Sequence, residues 1–484
     1  MSRSISAVSS GVEDLDRLLN GGYIQGRLYL LRGRPGTGKT LLGMHFLEAG
    51  LEKNEQVLFI HGEESKAEIQ ANAAQFDIDV SGAAFLDLGP DSEFFTEGQT
   101  FDLVGPSDAG EDHTDRIHDR IEEIDPKRIV IDPLTQLRYV EANEYEFRKR
   151  ILSFMRFLKG RGTTVLSTAT PAADAQFDTE MQSLADGIVE LSRGNHGRRV
   201  QVTKHRGHGQ VEGDHGLEIR ADGLEVYPSL IPEARNREFD PVQIGTGIEA
   251  FDDLVGGGIE AGTVTIISGP TGSGKTTTGT LFTAEAAREG LRSTIYLFEE
   301  NYETFSYRMD SLGIPIEEFR EAGLVSVREI EPLAMSAEEF AAVVREDIAE
   351  TGTDLVMIDG IDGYTMSIQG DRGDLVKKLH ALARRLKHQD VTVFVTDETS
   401  EITGMRAPTS SNISYISDNI LFLSYLELDG SLRKVVGALK KRAGDFEHTL
   451  REFAITGDGV HVGEPLSNVS GVIDGTHYGD EPPR

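Results

Sequence analysis

Apolar residues along the chain gather into short runs rich in β-branched and aliphatic side chains: "RLYLLRG", "QVLFIHG", "RIVIDPL" and "TTVLSTA". These alternate with longer stretches of helical character such as "TLLGMHFLEAGLE" and "EFRKRILSFMRFLKG". The runs are apolar nearly throughout, as in strands covered on both faces. Alternating strands and helices predict crossover units, hence an α/β fold with a largely parallel sheet flanked by helices. The pattern is written twice. "SGVEDLDRLLNGGYIQGRLYLLRGRPGTGKT" (10–40) aligns without a gap on "TGIEAFDDLVGGGIEAGTVTIISGPTGSGKT" (246–276), a spacing of 236 residues that "VTKHRG" (202–207) and "ALKKRA" (438–443) also obey. A period that long describes two copies of a whole domain, not a solenoid. The expected divisions are 1–230 and 231–465, separated within the Pro-containing polar stretch 227–243, with 466–484 as a disordered tail.

"GRPGTGKT" (33–40) and "GPTGSGKT" (269–276) both fit G-x-x-x-x-G-K-[ST], each after a strand and at the start of a helix. Gly33, Gly36 and Gly38, with Gly269, Gly272 and Gly274, let the backbone turn its amides toward phosphate oxygens; Thr37, Thr271 and Ser273 complete the loops. Lys39 and Lys275 are expected at the β and γ phosphates, and Thr40 and Thr276 on Mg²⁺. Asp132 and Asp359 each end an apolar run, as a Walker B metal-ordering acid does. A Gly-rich strand-to-helix turn occurs without ligands too, but two matches at a fixed spacing point to ATP and Mg²⁺.

Two further apolar runs end in paired acids, Glu63–Glu64 and Glu299–Glu300, each 24 residues after the loop lysine. Strand carboxyl ends face the ligand crevice in such sheets, so the first Glu of each pair is a candidate base for water or a hydroxyl and the second its support. The bland alternative is an acidic helix start. In "VTKHRG" and "ALKKRA", strand alternation places Lys204 with Arg206, and Lys440 with Arg442, on one side. Such cations could reach a neighbouring subunit's nucleotide and stabilise transition-state charge.

Composition changes the picture little. A length of 484 residues allows two or three domains. With no cysteine, disulfides, thiolate chemistry and cysteine metal sites drop out. No apolar run approaches a membrane span or a secretory leader, so the protein is expected to be soluble and cytoplasmic. The net charge of −33, from 81 acids against 48 bases of which 14 are Lys, suits a surface kept hydrated in a salty, halophilic cytoplasm.

Taken together, the tandem phosphate loops, the "GVEDLD" and "GIEAFDDLVGGG" openings, the twin glutamates, the Asp-ended strands and the K-x-R edges resemble the KaiC family, the two-domain RecA-superfamily ATPases of the circadian clock. The resemblance covers about 8–460. It implies two RecA-like P-loop NTPase domains stacked as rings of a homohexamer, with ATP between subunits, hydrolysis in the first ring, and autokinase and autophosphatase activity in the second. It makes Glu63 and Glu299 catalytic, sends Lys204, Arg206, Lys440 and Arg442 to the neighbour's ATP, and matches Ser414 to the family's phosphoacceptor serine. Tyr415 stands where the family has Thr, which leaves Ser417 as the second acceptor; Ala443, Pro133 and Gly360 also depart from the pattern. The competing reading is a RecA- or helicase-like DNA motor. Its central loops would be 168–186 and 396–418, which are acidic or neutral apart from Arg406, so nucleic acid is not the expected partner. A nucleotide-gated scaffold without catalysis is a third reading, opposed by the full set of catalytic residues in both copies.

Overall fold

The computed structural model describes residues 6–89, 109–134, 144–171, 175–194, 197–229, 242–333, 335–368, 370–399, 409, 413–428 and 430–466. Most of the segment between the two copies, most of 396–418 including Arg406, and the C-terminal tail lie outside them. The chain divides into two compact units, 1–229 and 230–484. No described helix is long and apolar enough to cross a membrane.

Each unit carries a nine-stranded sheet, and the two sheets share one topology. In the first, Ala84–Asp87, Val57–His61, Arg128–Asp132, Thr164–Ala169, Leu28–Gly33 and Gly187–Gly194 lie side by side in parallel. Gly197–His205, His215–Arg220 and Gly223–Tyr227 continue it as an antiparallel meander. In the second, Val325–Glu329, Ser293–Leu297, Leu355–Asp359, Thr392–Glu398, Val264–Gly269 and Asn419–Leu428 are the parallel part. Ser431–Lys441, Arg451–Thr456 and Gly459–Pro465 form its meander. These are the tandem RecA-like α/β domains that the repeat predicts. The stretch 168–186, expected as a loop, contains the helix Ala175–Leu184. Its apolar positions Phe177, Met181 and Leu184 recur at helical spacing, and Met181 is buried.

Parallel register sets the strand ends. His61 lies opposite Asp132, Leu297 opposite Asp359, and Gly269 opposite Glu398. The segments carrying the paired acids, the Walker B acids and the phosphate loops therefore leave each sheet along a single edge. The helix behind each loop, Lys39–Leu51 and Lys275–Arg288, is buried on nearly all sides, which removes any amphipathic stripe.

One buried contact ties the first of these helices to the far end of its sheet. His45 is almost wholly buried, and its Nε2 accepts the Leu224 backbone N–H at 3.0 Å, so the ring is neutral. Burial pushes its pKa down from 6.5 to about 4. In the second copy Leu281 fills this place. Because the folded ring resists protonation, its contribution to stability is complete above pH 6.5 and is lost as pH falls from 6.5 toward 4. The loss amounts to about 3 kcal/mol at most. A His45→Gln variant, which keeps an acceptor and does not titrate, should be less stable than wild type at pH 7.5 and close that gap by pH 4.5. Hydrogen-exchange opening energies of the strand Gly223–Tyr227 would read the gap, and a constant gap across this range would contradict the assignment.

Candidate nucleotide-binding sites

Each phosphate loop turns through glycines at φ values closed to most residues. Gly38 has φ 102° and Gly274 φ 111°, each directly before a helix. The space above them is tight as well, more so at Gly274. A Cβ on Gly38 would lie 3.3 Å from Ile219 and Leu224, and one on Gly274 would lie 2.8 Å from Phe453 and Ile455. The meander thus presses on the loop, and only glycine meets both demands. Gly33 and Gly269 end the preceding strands, and Gly36 and Gly272 turn the loops at φ 77° and 70°. The Thr37 hydroxyl donates to the Arg34 carbonyl at 2.8 Å, Ser273 is buried, and the Thr271 carbonyl accepts from Tyr425 at 3.4 Å.

The Lys39 ammonium donates to the carbonyls of Gly33 (2.8 Å) and Arg34 (3.0 Å), and Lys275 donates to that of Pro270 (3.0 Å). Burial holds the Lys39 pKa below the usual lysine range, against the pull of Asp132 and Glu63. Asp359 is buried, and burial pushes its carboxyl pKa up, opposed by hydrogen bonds from Thr396 (2.8 Å) and Thr276 (3.1 Å). Asp132 likewise accepts from Thr168. Thr168 and Thr396 sit on the strand beside each Walker B acid. The motif search passed over them, though both occur in the run "TTVLSTA" or its counterpart "TVFVTDE".

The two acids of each pair have different partners. Glu299 keeps an exposed edge yet stands close to Asp359; partial desolvation first and then the Asp359 charge raise its pKa, and its Oε1 accepts from Gly363 N–H at 3.3 Å. Glu300 pairs with Arg308, and Glu64 accepts from Asn72 at 3.0 Å, the same place eight residues on in each copy. In the first unit the His61 ring donates through Nδ1 to the Glu64 carbonyl at 2.8 Å and so fixes the turn carrying both acids. Gly360 follows from this geometry. Its φ is 124°, and a Cβ there would stand 2.0 Å from the Glu299 carboxylate.

In the first unit Gly36, Gly38, Lys39, Thr40, Glu63, Glu64 and Asp132 line one cavity of about 540 Å³, within the range of small-ligand sites. Lys204 and Arg206 are not among its lining residues. They are held elsewhere in their own unit. Lys204 donates to the carbonyl of Gln182 at 2.7 Å, and Lys440 to that of Ser414 at 2.9 Å, the matching position. Beside each cation pair lies a buried aspartate that sequence reading missed. Asp186 accepts from Leu28 N–H (3.1 Å) and faces Lys159, Arg27 and Arg206; Asp418 accepts from Val264 N–H (3.0 Å) and faces Lys387 and Arg442. Ser414 lies in the short 3-10 turn Ile413–Tyr415, half-buried. Ser417, expected as a second acceptor, is fully buried and donates to the Ser414 carbonyl at 3.1 Å.

The donor set fits a magnesium–triphosphate. Backbone turned at the start of a helix, a lysine, a hydroxyl at the first helical turn and a buried carboxylate on the next strand are the requirements of that ligand. The fold and these two sites define a tandem P-loop NTPase. Residues 8–231 and 244–467 each match the family model described as "ATPase: KaiC". The circadian clock oscillator protein KaiC of Parasynechococcus marenigrum is 26% identical over 489 residues, covering 98% of this chain and 93% of its own. That of Thermostichus vulcanus is 27% identical over 490 residues, covering 98% and 92%. KaiC 1 of Synechocystis sp. is 27% identical over 489 residues, with the same coverage. The chain belongs to the KaiC family of ATPases.

The close fit between Gly360 and Glu299 generates a test. Gly360→Ser should displace the Glu299 carboxylate and, if that carboxylate is the base of a second hydrolytic site, lower ATP turnover there by about tenfold or more. Nucleotide affinity should stay within about threefold, because the phosphate loop is untouched. Both quantities can be measured in a Lys39→Ala background. Unchanged turnover would show that the carboxylate has room to move aside.

Proposed function

We propose that the protein binds and hydrolyses ATP with Mg²⁺ in both domains, and that it works as a ring of the KaiC type whose second domain also phosphorylates its own Ser414. The observation that carries hydrolysis is the convergence of Lys39, Glu63, Asp132 and Thr40 on one cavity, matched in the second unit by the Thr276–Asp359 hydrogen bond and the closeness of Glu299 to Asp359 and Lys275. In this reading the loop amides and the lysine hold the triphosphate, and Thr40 with Asp132, or Thr276 with Asp359, would hold the metal. Bound there, Mg²⁺ would neutralise charge on the phosphate oxygens. Glu63 or Glu299 orients the attacking water and takes its proton, while Glu64 or Glu300, tied to Asn72 or Arg308, anchors the segment that carries it.

The ring rests on the cation pairs. Lys204 and Arg206 are absent from the lining of their own cavity, as a role at a neighbour's nucleotide requires, and the family resemblance supplies the hexamer. The printed names of the relatives are clock oscillator proteins, and a signalling or clock-like switch, read by partner proteins, is the corresponding proposal here. Transfer to Ser414 is supported by its tie to Lys440, which places acceptor backbone and cation in one contact. The motor reading has less behind it, since the candidate loops offer little positive charge to phosphates.

Lys39→Ala and Lys275→Ala should each abolish nucleotide binding in one half only, and Glu63→Gln should keep binding at the first site while cutting its turnover by about two to four orders of magnitude. Full ATPase activity in a Glu63→Gln, Glu64→Gln double variant would refute the catalytic assignment. Mixing Lys39→Ala with Lys204→Ala subunits should restore activity if the cation acts between subunits and should restore none if it acts within its own.

Incubation with ATP and Mg²⁺, followed by peptide mass spectrometry alongside light scattering, should find phosphate on Ser414 in a hexamer that loosens when ATP is withdrawn. Phosphate absent from 410–417 while ATPase activity is present would remove the autokinase and leave an ATP-driven ring. A monomer with and without ATP would remove the ring.

A further inference from the structure

The two sites are not electrostatic copies of each other. Two residues beyond the threonine that donates to the Walker B acid, the first unit has Thr170, which lines the cavity, and the second has Glu398. Glu398 ends the strand Thr392–Glu398, in register with Gly269, and the next amide, Thr399 N–H, donates to the Gly269 carbonyl at 3.1 Å. Backbone pairing therefore fixes this residue over the start of the phosphate loop. Its carboxylate lies 3.6 Å from the Lys275 ammonium. The other charge that the second site gains, Arg308 in place of Asn72, does not offset it. Arg308 is engaged by Glu300 and by the Thr277 hydroxyl at 3.2 Å.

We propose that Glu398 is a specificity residue of the second site, which makes that site select metal-bound nucleoside triphosphate over the metal-free form. The proposal rests on the reading that Lys275 receives the phosphates. A triphosphate without metal carries about four negative charges and its magnesium complex about two, so a fixed carboxylate beside the phosphate-binding lysine repels the free form about twice as strongly. Glu398 also competes for the ammonium itself. Thr170 imposes neither cost, so the first site should tolerate metal-free nucleotide better. Glu398 is 39% exposed, so salt screens part of the repulsion and ionic strength must be held constant.

The test titrates a fluorescent ATP analogue into the full chain carrying Lys39→Ala, with excess Mg²⁺ and with EDTA. Glu398→Gln should tighten metal-free binding by about tenfold and metal-bound binding by about threefold or less. Glu398→Thr, the residue of the first copy, should do the same, and Thr170→Glu in a Lys275→Ala background should weaken metal-free binding at the first site. Binding that persists in the Lys39→Ala chain but responds to neither Glu398 variant, or responds equally with and without metal, would overturn the proposal alone. No binding in that chain under either condition would overturn the nucleotide-site reading and this inference with it.

Discussion

Parallel strand pairing is the constraint on which both sites depend. In a parallel ladder every strand points the same way, so the six chain exits of each unit fall on one edge, and register decides which residues meet there. His61 opposite Asp132 and Leu297 opposite Asp359 bring the turn with the paired acids beside the Walker B strand. A slip of one residue would turn those side chains to the other face of the sheet. Residues distant in the chain therefore need no direct bond to be gathered, because the shared backbone ladder places them.

The meander adds a second requirement that the parallel strands do not make. Packed over Gly38 and Gly274, its side chains crowd the phosphate loop at these two positions, more tightly in the second unit, and in the first unit its last strand is tied back to the loop's helix through His45. The antiparallel strands thus help shape the candidate site although none carries a residue of the phosphate loop itself. The two units solve this packing differently, with Ile219 and Leu224 in one and Phe453 and Ile455 in the other.

Much of this was legible in the sequence because it was local or repeated. The strand and helix runs, the phosphate loops and the acids each announce themselves within a few residues, and the spacing of 236 residues turns weak single matches into paired ones. What escaped was non-local. Thr168 and Thr396 matter only because of the strand they lie beside, Asp186 and Asp418 because the chain returns to them, and Glu398 because of its register with Gly269. The antiparallel meander was missed as an arrangement for the same reason. Its pairing partners are set by tertiary packing, which no short window of sequence contains. Ser417 shows the converse, since a hydroxyl that looks available in a polar stretch is folded inward.

The buried aspartates at the opposite end of the phosphate-loop strands have a mechanical consequence. Asp186 grips the first amide of Leu28–Gly33 and Asp418 that of Val264–Gly269, while each also faces the arginine of a K-x-R edge. A strand hydrogen-bonded on both sides acts as a strut, roughly 20 Å long for six residues, which neither stretches nor buckles readily. Arg206 and Arg442 thus stand at one end of that strut, and the phosphate loop of the same unit stands at the other. Were the two ends to influence each other, the influence would be reciprocal in free energy, the loop acting on the arginine as much as the arginine on the loop.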